Sequence, residues 1–133
     1  MLIIHNMGYS CSPCTLWTDV FYGLVDHLDV AFSFVVSSHN SPDTMKKKSA
    51  SMSRKFLIVS SKENTFFQDM GFAETKKERI YYQLGYSMFQ KNPDETISRI
   101  GMNSFAHGGR YCSIWHILKF LPLQINWSPK KNY

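Results

Sequence analysis

Two cysteines near the start of the chain lie between an apolar segment and an amphipathic one. Residues 2–6 read Leu-Ile-Ile-His-Asn, which predicts a short strand, and Cys11 and Cys14 follow after a loop. In residues 17–28, apolar side chains recur at spacings of three and one, which is typical of one face of a helix. Pro13 is favourable in a first helical turn. The sequence therefore predicts a strand, a loop and a helix, with the cysteine pair at the helix N-terminus.

The rest of the chain continues this alternation of strands and helices. We predict strands at 30–37, 56–60, 85–90 and 96–102, helices at 43–53 and 110–121, and helical turns and loops at 62–80. Strands that alternate with helices predict a parallel sheet with helices on both faces, and the late strand pair makes the sheet mixed. The predicted class is α/β, with the central mixed sheet of a thioredoxin-like fold.

The length and composition fit a single folded domain. The chain has 133 residues, of which 44% are hydrophobic, enough to form a packed core. We predict one domain over residues 1–125 and a C-terminal tail over residues 126–133.

Charge and hydropathy argue against two classes of partner. The net charge is +5, but the only tight basic run is 46–48, with no aromatic residues interleaved. This pattern does not favour nucleic-acid binding. No stretch reaches the roughly 20 apolar residues that span a bilayer, and the N-terminus does not resemble a signal peptide. We therefore expect no membrane partner and a cytoplasmic location, where a close cysteine pair is more often catalytic or metal-binding than structural.

A Cys-x-x-Cys pair at a helix N-terminus suits thiol–disulfide exchange. Residues three apart share a helix face, so the two sulfurs can meet. The unpaired N–H groups and the partial positive charge of the helix N-terminus favour a thiolate at the first cysteine. We predict that Cys11 attacks the substrate, that Cys14 resolves the mixed disulfide, and that no cofactor takes part.

Two other interpretations of the cysteines stay open. They could be small buried hydrophobic residues, because free cysteine is often buried. They could also form half of a zinc site with Cys112, His107 and His116, although the spacing of these residues does not match a standard zinc motif. We expect no metal, a packed Cys112 in the last helix, and a structural role for His5 in the first strand.

Several segments in sequence order resemble a known family. The stretch 5–19 around the cysteine pair resembles the thioredoxin-like domain-of-unknown-function family numbered eight hundred and ninety-nine. Similar segments follow in order at 34–38, 56–61, 66–71, 85–89 and 104–108. The resemblance implies a dithiol–disulfide oxidoreductase of the thioredoxin superfamily that acts on a protein or small-molecule thiol or disulfide.

The resemblance also indicates where a substrate would bind. Thioredoxin-like proteins usually place a cis-proline beside the cysteine pair, and the matching position in this chain is Leu84. A non-proline cis peptide is costly, so we predict a trans peptide there. Leu84, Pro13 and Trp17 are the candidate substrate contacts, and Trp17 is also a candidate core residue.

Three functions remain open at this point. The first is an enzyme or carrier that exchanges a dithiol for a disulfide. The second is a thioredoxin-like binding module without catalysis, which the leucine at position 84 motivates. The third is a thiol peroxidase, which only the resemblance to the thioredoxin superfamily suggests. That activity would need an activating Thr and Arg; Thr15 is near the pair, but the first arginine of the chain is Arg54. The sequence does not determine the oligomeric state.

Overall fold

The computed structural model describes residues 1–28, 30–52, 56–106, 109–120 and 127–129, without the side chains of residues 48–52. Helices and strands alternate through the first half of the chain, and strands dominate the second half. The elements are β1 (Leu2–Asn6), α1 (Ser12–Tyr22), α2 (Val25–Leu28), β2 (Phe34–Ser38), α3 (Pro42–Met52), β3 (Leu57–Ser60), α4 (Phe66–Asp69), β4 (Ala73–Lys76), β5 (Arg79–Tyr82), β6 (Gly85–Lys91), β7 (Ile97–Ser104) and α5 (Ser113–Leu118).

Five strands form the central sheet, in the order β3-β2-β1-β6-β7. The strands β1, β2 and β3 run parallel, with Ile4 opposite Val36 and Val36 opposite Ile58. The strand β6 is antiparallel to both β1 and β7. The predicted mixed sheet is confirmed. The loop of residues 7–11, called the cysteine loop below, follows the central strand β1.

The two faces of β1 carry side chains of different character. Leu2 and Ile4 join a buried apolar cluster with side chains from α1, α2 and α5. His5 points to the opposite face, because side chains alternate along a strand. There its ring contacts Phe67 of α4 at a centroid distance of 5.5 Å. Helices therefore cover both faces of the sheet, as predicted.

The predicted continuous helix up to residue 28 is interrupted at Gly23. This glycine caps α1, and the Leu24 N–H donates to the Phe21 carbonyl instead of continuing the helix. Glycine is less favourable than alanine in a helix interior by about 1 kcal/mol, so the helix ends there at little cost. Leu24 is 45% exposed, while Val25 returns to the core in α2.

The strand predicted at 30–37 begins four residues later, at Phe34. The N–H groups of Ala31 and Phe32 both donate to the Leu28 carbonyl, which holds this segment in a turn after α2. Val30 is 88% exposed. Residues 30–33 have a β-prone composition, which did not indicate that backbone N–H groups of this segment donate to the carbonyl at the end of α2.

The helical turns and loops predicted for residues 62–80 agree with the short helix α4, but the segment also contains most of a hairpin that was not predicted. The strands β4 and β5 pair antiparallel, from Ala73 opposite Tyr82 to Lys76 opposite Arg79. Lys77 and Glu78 form the turn with positive φ angles of 46° and 62°. Such turns usually contain Gly, Asn or Asp, so this one carried no sequence signal.

The other predicted elements are present with shifted ends. The helix predicted at 43–53 is α3, and the strands predicted at 56–60, 85–90 and 96–102 are β3, β6 and β7. The last helix spans Ser113–Leu118, shorter than the predicted 110–121, and residues 121–126 lie outside the described part of the chain. No described helix is both long and apolar enough to cross a membrane. The division into a domain at 1–125 and a tail at 126–133 stays a prediction.

Candidate functional site

Cys11 and Cys14 lie at the N-terminus of α1, where the sequence places them. Cys11 is the N-cap residue, and Cys14 lies in the first helical turn. Their sulfurs are at disulfide-bonding distance, and their Cα atoms are 5.3 Å apart. The loop and the helix together therefore bring the two predicted redox residues into contact.

The helix N-terminus directs a hydrogen-bond donor at the Cys11 sulfur. The backbone N–H of Cys14 donates to Cys11 Sγ over 3.2 Å. A backbone N–H and the positive end of the helix dipole both stabilise negative charge at this position. When the pair is reduced, the same interactions favour a thiolate on Cys11.

The two cysteines differ in accessibility. Cys14 is fully buried in the apolar cluster, with an exposed fraction of 0%, whereas Cys11 is half-buried at its edge. A thiolate must be accessible to attack a substrate disulfide, whereas a buried thiol can reach only a sulfur that is already beside it. The geometry therefore suits Cys11 as the attacking group and Cys14 as the resolving group.

Asn6, at the end of β1, ties the cysteine loop to α1. Its Nδ2 donates to Thr18 Oγ1 over 2.8 Å and to the Cys14 carbonyl over 3.3 Å. Its Oδ1 accepts the Gly8 N–H over 2.7 Å, which forms a local turn. Sequence-based prediction missed this residue, although an asparagine two positions before a glycine at a strand end is a known turn signal.

The cysteine loop is also supported by the loop after β2. The Tyr9 N–H donates to Asn40 Oδ1 over 2.9 Å. Gly8 has a φ of +106°, and a Cβ at this position would lie 2.6 Å from the same Asn40 oxygen. Glycine at position 8 therefore permits both the positive φ and the close approach of Asn40.

A cavity of about 390 Å³ borders the first turns of α1, and all three predicted substrate contacts line it, although neither Cys11 nor Cys14 is among its lining residues. Pro13 and Trp17 contribute from α1, and Leu84 contributes from the segment before β6. Cavities of this size with mostly apolar walls are common ligand sites. The lining residues that were not predicted from the sequence are Met7, Tyr82, Gln83, Ser104, Phe105, Trp115 and Pro129.

Trp17 is both a core residue and a wall of this cavity. It is 2% exposed and stacks on Phe105, with the ring centroids 4.4 Å apart and the planes 7° apart. Phe105 in turn donates its N–H to the Leu84 carbonyl over 2.9 Å. This hydrogen bond joins the backbone of Leu84 to that of Phe105, so Leu84 and the stacked aromatic pair are connected directly.

The peptide before Leu84 is trans, as predicted, since the described residues contain no cis peptide bond. Leu84 is 6% exposed and packs in the same apolar cluster as Cys14. The side chain of Leu84 also lines the cavity, and the match of this position to the cis-proline of thioredoxin-like proteins stays a prediction.

The third cysteine is buried, and the residues predicted as possible metal ligands do not form a described site. Cys112 is 1% exposed at the start of α5, and burial raises the pKa of its thiol. His116 is exposed on that helix, and His107 lies outside the described residues. Within the ranges that are described, no group of three or more His, Cys, Asp or Glu side chains could hold a metal ion.

His5 is fully buried in an aromatic environment on the other face of β1. Its ring stacks on Phe72 at a centroid distance of 4.1 Å, and Nε2 shares a hydrogen bond with Ser87 Oγ over 2.9 Å. Burial, and secondarily the positive charge of Arg99, lowers the pKa of His5 to about 4. The ring is therefore neutral near pH 7, consistent with a structural role.

Comparison with known proteins supports the fold. No protein-family model and no curated protein matches the sequence. The structure is similar to reduced Prx3 from Vibrio vulnificus, with a TM-score of 0.60, 14% identity, and coverage of 89% of this chain and 79% of that chain. It is also similar to a bacterioferritin comigratory protein from Xanthomonas campestris, with a TM-score of 0.63, 17% identity, and coverage of 89% and 76%. Both are thioredoxin-fold peroxiredoxins, and this chain has the predicted α/β thioredoxin-like fold.

Proposed function

We propose that this chain is a dithiol–disulfide oxidoreductase. The observation that carries the proposal is the arrangement of Cys11 and Cys14 at disulfide-bonding distance, with the first half-buried at a helix N-terminus and the second fully buried. This activity is also what the resemblance to the family described above implies. A reducing compartment such as the cytoplasm would supply thiols that return the pair to its reduced state.

The reaction transfers two electrons from the dithiol to a disulfide. The Cys11 thiolate attacks one sulfur of the substrate disulfide, and the other substrate sulfur leaves as a thiolate that takes a proton from water. Cys14 then loses its proton and attacks Cys11 Sγ. This second step releases the remaining substrate thiolate and leaves the Cys11–Cys14 disulfide, so that the substrate is reduced and the protein is oxidised.

In this proposal the cavity holds the part of the substrate next to its reacting sulfur. Pro13, Trp17 and Leu84 are the proposed substrate contacts, since all three line the cavity and Pro13 lies between the two cysteines. Their side chains bind and orient the substrate, while the α1 N-terminus stabilises the attacking thiolate.

The pH dependence of Cys11 alkylation tests this proposal. The reduced Cys14→Ser variant is treated with iodoacetamide over a pH series, and modification of Cys11 is followed by mass spectrometry. We expect a midpoint well below the value of about 8.5 that is typical of free cysteine. The Cys11→Ser variant controls for Cys14 and Cys112. A midpoint near that of free cysteine, together with no disulfide reduction by the wild-type protein, would contradict the proposal and favour a non-catalytic binding module.

Thiol peroxidase activity is the second candidate, and the two structural neighbours favour it. The Xanthomonas campestris protein has alkyl peroxide reduction activity. In this chain Thr15 lies one turn after Cys11, but its hydroxyl donates to the Cys11 carbonyl over 3.4 Å. A peroxidase would consume hydrogen peroxide or an alkyl hydroperoxide in stoichiometric amounts when reduced. Absence of consumption by the reduced protein, with disulfide reduction intact, would exclude this candidate.

A further inference from the structure

We propose that the cavity selects substrates whose reacting sulfur carries an uncharged aromatic or aliphatic group, and that it discriminates against charged thiol compounds of the glutathione type. This inference rests on the proposed function, because it concerns the group that enters the cavity when Cys11 reacts. It adds the chemical class of the substrate, which the fold and the cysteine pair alone do not specify.

The lining of the cavity contains no charged side chain among the described residues. Eight of its ten residues are apolar or aromatic, and the two others, Gln83 and Ser104, are neutral and exposed. A carboxylate or an ammonium group placed here would lose hydration without gaining an ionic partner. An uncharged group, in contrast, gains by leaving water for contact with the rings of Trp17 and Phe105.

Two neighbours of the cysteine pair line the cavity, and they indicate which part of the substrate it would receive. Pro13 lines the cavity and lies between the two cysteines in the first turn of α1. Met7, at the start of the cysteine loop, also lines the cavity and packs against the same apolar cluster as Cys11. A group attached to a sulfur that is bonded to Cys11 is therefore the part of the substrate nearest to these walls.

Selection by the cavity and electrostatic attraction by the whole chain predict opposite substrate preferences. A net charge of +5 attracts anions to the surface, so the whole molecule would accelerate the reaction with an anionic disulfide. Selection by the cavity predicts the reverse order, with the neutral substrate preferred.

Two aromatic disulfides that differ in charge provide the test. The reduced protein is reacted with neutral 4,4′-dithiodipyridine and with the dianionic 5,5′-dithiobis(2-nitrobenzoate), and each rate is divided by the rate of the same reagent with free cysteine. This correction removes the difference in intrinsic reactivity. We expect the corrected rate to be at least about tenfold higher for the neutral reagent, as for a site that cannot pair a buried charge.

Two single lysine substitutions, one at the cavity and one away from it, test whether the cavity causes the selectivity. Gln83→Lys introduces a positive charge at the cavity, and we expect it to reduce the preference for the neutral reagent several-fold. Gln90→Lys introduces the same charge at an exposed position of β6 that does not line the cavity, and it should leave the preference unchanged. An equal or reversed preference in the wild type, or equal effects of both variants, would overturn the proposal.

Binding of an unreactive probe separates this inference from the proposed redox function. Benzyl methyl sulfide and S-methylglutathione are titrated into the Cys11→Ser/Cys14→Ser double variant, and tryptophan emission is followed because Trp17 and Trp115 line the cavity. We expect saturable binding of the neutral sulfide, at least about tenfold tighter than binding of the charged peptide. Such binding without disulfide reduction in the wild type would refute only the redox function. Absence of saturable binding would overturn the inference. So would a change in tryptophan emission that depends on protein concentration and not on the added sulfide, because it would indicate that a second copy of the chain occupies the cavity.

Discussion

At the scale of single residues, the chemistry of the site depends on a few side chains with distinct environments. Cys11 is half-buried and accepts an N–H, Cys14 is fully buried, and Asn6 bonds to the helix that carries both. The pattern of the sequence indicated the cysteines and their neighbours, because their spacing has a chemical meaning. It did not indicate Asn6 or Gln83, because the contacts of such residues depend on segments that only the fold brings together.

His5 leads to a prediction about the pH dependence of stability. Its pKa is lowered from 6.5 to about 4 in the folded chain, so below pH 6.5 the unfolded chain binds a proton that the folded chain does not. The stabilisation is complete above pH 6.5 and is lost as the pH falls to about 4. This shift corresponds to roughly 3 kcal/mol. Urea unfolding of the wild type and of His5→Gln at about pH 7 and about pH 4.5 measures the difference.

We expect the free energy of unfolding to fall more between these pH values in the wild type than in His5→Gln. The exposed residue His27 supplies the control, and His27→Gln should follow the wild type. If the free energy of unfolding fell equally in all three proteins, burial would not disfavour protonation of His5 in the folded chain, and this prediction would be contradicted.

At the scale of elements, the junction between β1 and α1 determines where the cysteines lie. The apolar residues of β1 and of α1 predicted this junction, since both pack on one cluster. Other elements escaped prediction for physical reasons that their residues explain. The β4–β5 hairpin turns through Lys77 and Glu78, whose positive φ angles are not typical of these residue types, and the turn at 30–33 bonds backward to α2.

Gly8→Ala tests the importance of this junction. The alanine would adopt a φ of +106°, and its Cβ would lie 2.6 Å from Asn40 Oδ1. We expect a loss of more than about 1 kcal/mol in the free energy of unfolding, and slower alkylation of Cys11 because its loop is displaced. Chemical denaturation and alkylation kinetics measure the two effects.

Gly23→Ala is the matched control for that substitution. Gly23 has a φ of −72°, and a Cβ there would meet no atom within 4 Å. This variant should be neutral or more stable by up to about 1 kcal/mol. If both variants lost the same stability, the conformation of Gly8 would not be what supports the cysteine loop.

At the scale of the whole molecule, the mixed sheet and its two covered faces followed from the alternation of strands and helices, whereas the order of the strands was not predicted. The cavity was not predicted either, since its walls come from segments as distant in sequence as Met7 and Pro129. Part of the predicted tail contributes to this region: Trp127 packs against Trp115, with the ring centroids 5.1 Å apart, and Pro129 lines the cavity.

Trp127→Ala tests how much this C-terminal contact stabilises the molecule. Trp127 is partly buried against the apolar cluster, so its loss should cost about 1–3 kcal/mol, less than a fully buried tryptophan. The exposed neighbour Ser128 provides the control, and Ser128→Ala should change little. Unfolding curves that coincide for all three proteins would show that the segment contributes no stability.

The most direct test of the proposed dithiol chemistry is to trap the mixed disulfide that the protein forms with a model disulfide. Each reduced single variant is mixed with 4,4′-dithiodipyridine and analysed by intact and peptide mass spectrometry. We predict a stable adduct on Cys11 in Cys14→Ser, and release of both pyridine thiols with a Cys11–Cys14 disulfide in the wild type. No adduct is expected on Cys14 in Cys11→Ser. An adduct that formed preferentially on Cys14 or Cys112, or none on Cys11, would contradict the roles assigned to the two cysteines.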